Sequence, residues 1–169
     1  MTRATRWAAL HRFLSRLTGR DVRRPPAATA PTGRVVLPDH HGVVRPVYAP
    51  RPDGDADPGE IVWGWVPYEE DPSQGKDRPV LVIARNGPAV LGLMLTSKDH
   101  ARNAAAEARR GRVWMDIGAG PWDARRRPSE IRLDRVVQLH PTAFRREGAV
   151  MDRALFDQVV AAVRTCNGW

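Results

Sequence analysis

From Gly59 onward, short apolar runs alternate with turn residues at the lengths of a small β domain. Ile61-Val62-Trp63-Gly64-Trp65-Val66 is rich in β-branched and aromatic side chains and predicts a strand that Pro67 ends. Tyr68 to Asp77, with Pro72, Ser73, Gln74 and Gly75, predicts a polar loop. Pro79 opens Val80-Leu81-Val82-Ile83, a continuous apolar run of the kind buried on both faces. Asn86-Gly87 is a hairpin signal, Ala89 to Leu95 the returning strand, and Thr96 to Arg110 a polar, alanine-rich loop with room for one helical turn. Arg112 to Ile117 and Glu130 to Leu139 predict two more strands, joined through Gly120-Pro121-Trp122-Asp123. Leu155, Phe156, Val159, Val160 and Val163 share one face of a helix starting near Asp152. Short strands followed by one helix predict a mainly β domain, a small, strongly bent antiparallel barrel with a C-terminal helix packed on it.

Upstream the pattern changes. Trp7, Leu10, Phe13, Leu14 and Leu17 fall at helical spacing with arginines between them, so residues 1–18 read as a basic amphipathic arm. The interrupting arginines argue against a secretory signal. A lipid anchor, a nucleic-acid or partner-binding arm and a stretch without function are the three readings, of which the last is favoured and membrane contact disfavoured. Residues 19–58 hold eight prolines and little periodicity, and read as a largely disordered linker. Within it, Val35 to Leu37 and Val43 to Tyr48 are apolar islands able to pack on the domain edge. The folded domain is then residues 59–169.

At 169 residues the chain fits one domain with an appendage. No run of about 18 apolar residues exists to span a bilayer. Cys166, the single cysteine, excludes an intramolecular disulfide and any multi-cysteine metal site, and fits a reducing compartment, so the cytoplasm is the expected location. The net charge of +8 points toward nucleic acid only until it is located. Residues 1–34 carry eight arginines against Asp21, a net +7, so the remainder is almost balanced. Overall basicity therefore describes the arm.

No glycine-rich phosphate loop, no HExxH, no GxSxG and no metal-ligand spacing occur. The adjacent His40 and His41 read as a solvated pair, and His100 and His140 as structural or exposed groups. Trp63, Trp65, Trp114 and Trp122 are either base-stacking or, as is commoner in a small barrel, core and interface.

Two segments carry more. Gly59-Glu60-Ile61-Val62-Trp63 precedes a loop and then Gly75-Lys76-Asp77-Arg78-Pro79-Val80-Leu81-Val82-Ile83. Together they resemble the MazF/PemK (Kid) family of type II toxin–antitoxin endoribonucleases, with weaker matches at Leu95-Thr96-Ser97, at Glu130 to Val136 and in the terminal helix. The resemblance spans roughly Gly59 to Arg164. It implies an SH3-like barrel, a homodimer, a cognate antitoxin, and cleavage of single-stranded RNA without metal or other cofactor, by attack of a 2′-hydroxyl on the adjacent phosphate to halt translation and growth.

Carried over by motif, Arg78 would bind phosphate and stabilise the transition state, with an ion pair to Asp77 or Glu69 as the alternative. Thr96 would help hold the phosphate or merely cap its strand. Arg132 and Asp134, two apart on a strand, would supply acid and base or form a salt bridge. Gln74, Gly75, Lys76, Ser97 and Lys98 are the expected RNA-binding residues, with metal ligands expected nowhere. The chain departs from many relatives at Ser73, where they hold a glutamate, and at Lys76-Asp77, where they hold smaller residues. A missing loop acid keeps a second class open: a non-catalytic SH3-like module, either a topoisomerase inhibitor of the CcdB kind or a DNA-binding repressor component.

Overall fold

The computed structural model describes residues 28–29, 35–51 and 53–169. The expected arm, and residues 19–27, 30–34 and 52 of the expected linker, lie outside the described residues. Among the described residues eight strands form the frame: β1 (Ala28–Thr29), β2 (Glu60–Pro67), β3 (Gln74–Asn86), β4 (Ala89–Thr96), β5 (Trp114–Gly118), β6 (Ser129–Arg132), β7 (Val137–Leu139) and β8 (Phe144–Val150). Two α-helices among the described residues, α1 (Ala104–Arg109) and α2 (Arg153–Asn167), complete it. All pairings are antiparallel. The sheet runs β5-β6-β4-β3-β2-β8, with β1 added to β3 and β7 to β4. It is a mainly antiparallel β fold with a C-terminal helix, as expected, but the sheet stays open, ending at β5 and β8, and is barrel-like only in a loose sense.

Burial on both faces explains the apolar run of β3. One face supplies Leu81 and Ile83, which join Ile61, Leu93, Leu95 and the α2 residues Phe156, Val159 and Val163 in the larger core. The other supplies Val80 and Val82, packed with Val62, Val66, Val90, Met94 and Val137 in a second cluster. A hydrophobic layer therefore lies on each side of the central strands, and α2 covers only one of them. Helix α2 starts where its cap dictates: the Asp152 carboxylate accepts from the Ala154 and Leu155 amides at 2.9 and 3.2 Å. It stops at Gly168, whose φ of 69° is the left-handed conformation that glycine adopts without strain. The β3–β4 hairpin closes at Asn86 and Ala89, with Gly87 at φ 58° as the first turn residue.

Three differences from the sequence reading bear on function. The expected loop is shorter, because β3 already starts at Gln74, which pairs with β1, and Gly75 to Asp77 pair with β2. The stretch Glu130 to Leu139 is two strands rather than one, since β4 pairs with β7 at Val90–Gly92 and with β6 at Leu95–Thr96, and the chain bends at Leu133-Asp134 between them. Strand β8 was not anticipated; its arginines, Gly148 and exposed Val150 suit a sheet edge and give no apolar run.

The described residues of the expected linker lie against the domain. Val44 is buried, the Val47 amide donates to the Ile83 carbonyl, and the Tyr48 hydroxyl donates to the Met151 carbonyl at 2.8 Å. Val36 and His40 bridge to Leu139 and Val136. Asp39 accepts from the buried Arg135 guanidinium at 2.6 and 3.1 Å, and Arg135 also donates to the Pro67 carbonyl. Proline-rich chain can thus be ordered when buried side chains and backbone bonds offset its loss of freedom. Among the described residues no helix is long and apolar enough to cross a membrane.

Two changes test this packing. Phe156→Ala removes a buried ring that meets Tyr48 edge-on at 5.1 Å and is expected to cost about 3–5 kcal/mol in urea unfolding. Asp39→Ala strips a carboxylate from a buried guanidinium and is expected to cost about 2 kcal/mol; unchanged stability would mean that the segment around Asp39 is not docked in solution.

Candidate functional site

Alternation along β3 puts Lys76 and Arg78 on the same face as Val80 and Val82. Arg78 and Thr96 each lie two residues beyond the paired Val80 and Met94, so both project from that face where the apolar cluster ends. Thr96 pairs in turn with Glu130, and Arg132 with Trp114. The connection after β4 adds Lys98 and His100, α1 and the turn after it add Glu107, Arg110 and Arg112, and the connection after β2 adds Tyr68, Glu69 and Glu70. These side chains line a cleft of about 960 Å³ with Pro67, Met94 and Arg135. Seven of its lining residues are basic and three acidic.

Arg132 is the anchor of its floor. Its side chain is only 3% exposed, and its guanidinium bonds the Asp134 carboxylate through Nε and Nη2 and reaches Glu69 at 2.9 Å. Burial alone would lower its pKa, but bonds to Asp134 and Glu69 override this and hold it above the ordinary arginine value. The Asp134 carboxylate is further committed to the Val113 amide at 2.7 Å. Arg112 faces Glu69, Glu70 and Glu107 at 3.6 to 4.0 Å. Thr96 Oγ1 accepts from the Lys98 amide at 3.1 Å, which closes the turn and leaves its own hydrogen to donate.

A second cluster forms the wall. The His100 ring is stacked on Trp114, with centroids 3.9 Å apart and planes 2° from parallel. Its Nδ1 lies 2.7 Å from Glu130 Oε2, and its backbone amide also donates to that carboxylate. Trp114 Nε1 donates to Glu107 Oε2 at 3.0 Å, and this bond, with the nearby positive charges, holds the Glu107 carboxyl below its usual range although desolvation opposes it.

Of the residues singled out from sequence, the cleft gathers Lys76, Arg78, Thr96, Lys98 and Arg132. Asp134 stands behind Arg132 as its salt-bridge partner, two residues on but past the end of β6. Gln74 and Ser73 are tied to Asp71, whose carboxyl is thereby held below its usual range. Gly75 is buried, and a Cβ there would fall 2.5 Å from the Trp65 ring and the Val66 carbonyl, so its place is to admit that ring. Ser97 is exposed and does not line the cleft. Asp77 pairs with Arg145 at 2.9 Å. Trp65 and Trp122 are core, whereas Trp114 lines the cleft.

His100, Glu130, Glu107 and Arg112 were missed as site residues. Nothing local marks them, because His100 and Glu130 are thirty residues apart and meet only through the β4–β6 pairing. Among the described residues no cluster of three His, Cys, Asp or Glu is arranged to hold a metal ion.

A search of curated proteins gives no match to the chain. A family model described as PemK-like, MazF-like toxin of type II toxin–antitoxin system matches residues 57–166, which covers every described cleft residue and all of α2 but its last position. The match covers well over half of the chain, including the Arg78 motif at the mouth of β3, and the chain belongs to the PemK-like, MazF-like toxin family.

Proposed function

We propose that the protein is the toxin of a type II toxin–antitoxin pair and an endoribonuclease that cleaves single-stranded RNA in the cleft between β3, β4 and β6. The observation that carries this reading is the convergence of Lys76, Arg78, Thr96, Lys98 and Arg132 on one concave surface of a family member. The reaction is attack of a ribose 2′-hydroxyl on the adjacent phosphate, which forms a 2′,3′-cyclic phosphate and releases a 5′-hydroxyl. Arg78 offers a guanidinium fork to two phosphate oxygens, and Thr96 donates its hydroxyl to one of them. Arg132, buried and fixed, adds charge that needs no reorganisation as the phosphorane forms. Asp134 acts through Arg132 by holding its orientation. Lys76 and Lys98, at the rim, meet neighbouring phosphates along the strand.

A cationic cleft of this kind also suits the partner implied by the family. A cognate antitoxin would lay an acidic segment over it and exclude RNA by occupying the same cations. A homodimer in the cytoplasm completes the reading, and no step in it draws on a metal ion.

The test is incubation of the purified chain with a long single-stranded RNA in EDTA, followed by mapping of both ends. Discrete cuts with 2′,3′-cyclic phosphate and 5′-hydroxyl ends are expected, and Arg78→Ala should slow them roughly 10²- to 10³-fold. Intact RNA from folded protein, with tight binding to a topoisomerase or to DNA, would support the non-catalytic module instead.

A further inference from the structure

We propose that His100, held by Glu130 and stacked on Trp114, is the general base that removes the 2′-hydroxyl proton in this cleft. The inference rests on the ribonuclease reading above and names a residue that the Arg78 motif does not contain. Three observations carry it. The ring lines the same cleft as Arg78, Thr96 and Arg132, yet its side chain is only 11% exposed, so it is placed and not adrift on the surface. A carboxylate can only accept, so the 2.7 Å contact puts a ring hydrogen on Nδ1, and in the neutral ring the lone pair is then on Nε2. The register adds proximity: Glu130 lies directly across from Thr96, which places the dyad beside the hydroxyl assigned to the phosphate.

Asp134 is a poor candidate for the same work. Its oxygens already accept from the Arg132 guanidinium and the Val113 amide, and it does not line the cleft. In the His100 pathway, Nε2 takes the 2′-hydroxyl proton as the O2′–P bond forms. The O5′–P bond then breaks, and the departing O5′ takes a proton from solvent water. Glu130 stabilises the imidazolium, and Trp114 fixes the plane of the ring. The charged groups around the ring are Glu130 from β6 and Glu107 from α1, with Arg110 and Arg112 paired to Glu107, while Lys98 of the same connection lines the same cleft.

The experiment measures kcat/KM against pH on a defined RNA for wild type, His100→Gln and Glu130→Gln, with thermal melts and RNA-binding curves for each. Wild type should lose activity at acid pH as His100 gains a proton. His100→Gln should be slower by roughly 10²- to 10⁴-fold, bind RNA normally and lack that acidic limb. Glu130→Gln removes the charge that favours imidazolium, so its limb should move to lower pH. A folded His100→Gln enzyme that keeps its rate and acidic limb, while Arg78→Ala is inactive, overturns the His100 role and leaves the ribonuclease reading standing. If His100→Gln does not fold, an unmoved limb in Glu130→Gln overturns it. Wild type that cleaves no RNA overturns both.

Discussion

Strand β3 is apolar on both faces from Val80 to Ile83 but charged and open to solvent, wholly at Lys76 and partly at Asp77 and Arg78, and the rest of the molecule is arranged around that change. Its apolar part has to be covered twice, by α2 and the larger core on one face and by the valine cluster on the other. The second cover is incomplete. Where it stops, at Met94, the same face continues as Arg78 and Thr96. A site built at the end of a rigid, doubly buried strand holds its cations with little loss of side-chain freedom left to incur on binding.

The cleft shows how the fold manages a burden of positive charge in a nearly balanced domain. Arg132 and Arg135 are buried, and each has its carboxylate: Asp134 for one and Asp39 for the other. Removing either carboxylate would strand a desolvated cation, so those pairs fix geometry more than they add stability. Glu69 differs, because it sits on an exposed connection and meets Arg132 from the open side. A phosphate arriving at Arg132 would compete with a surface carboxylate, which is the weaker of its two partners in this sense.

Much of this was legible in the sequence. The runs at Ile61 to Val66 and Val80 to Ile83, the turn at Gly87 and the helix capped by Asp152 each rest on local chemistry, and each is where the pattern puts it. The Arg78 motif gave the family and one wall of the cleft. What stayed hidden is non-local. Val44 and Tyr48 look like islands in proline-rich chain until α2 and β3 are present to cover them. Strand β8 is an edge with no apolar run, and Gly75 makes room for the Trp65 ring. His100 resembled any loop histidine, since its partners come from β5 and β6.

The central claim is that the cleft, and not another concave surface, receives RNA. The most direct measurement is NMR chemical-shift mapping with a single-stranded RNA whose 2′-hydroxyls are methylated, so that it binds without being cut. The account predicts perturbations centred on Lys76, Arg78, Thr96, Lys98 and His100, fading toward β8. Shifts gathered instead around Arg51, Arg85 and Arg145, which line the concave surface beside β8, with the cleft resonances unmoved, would contradict it.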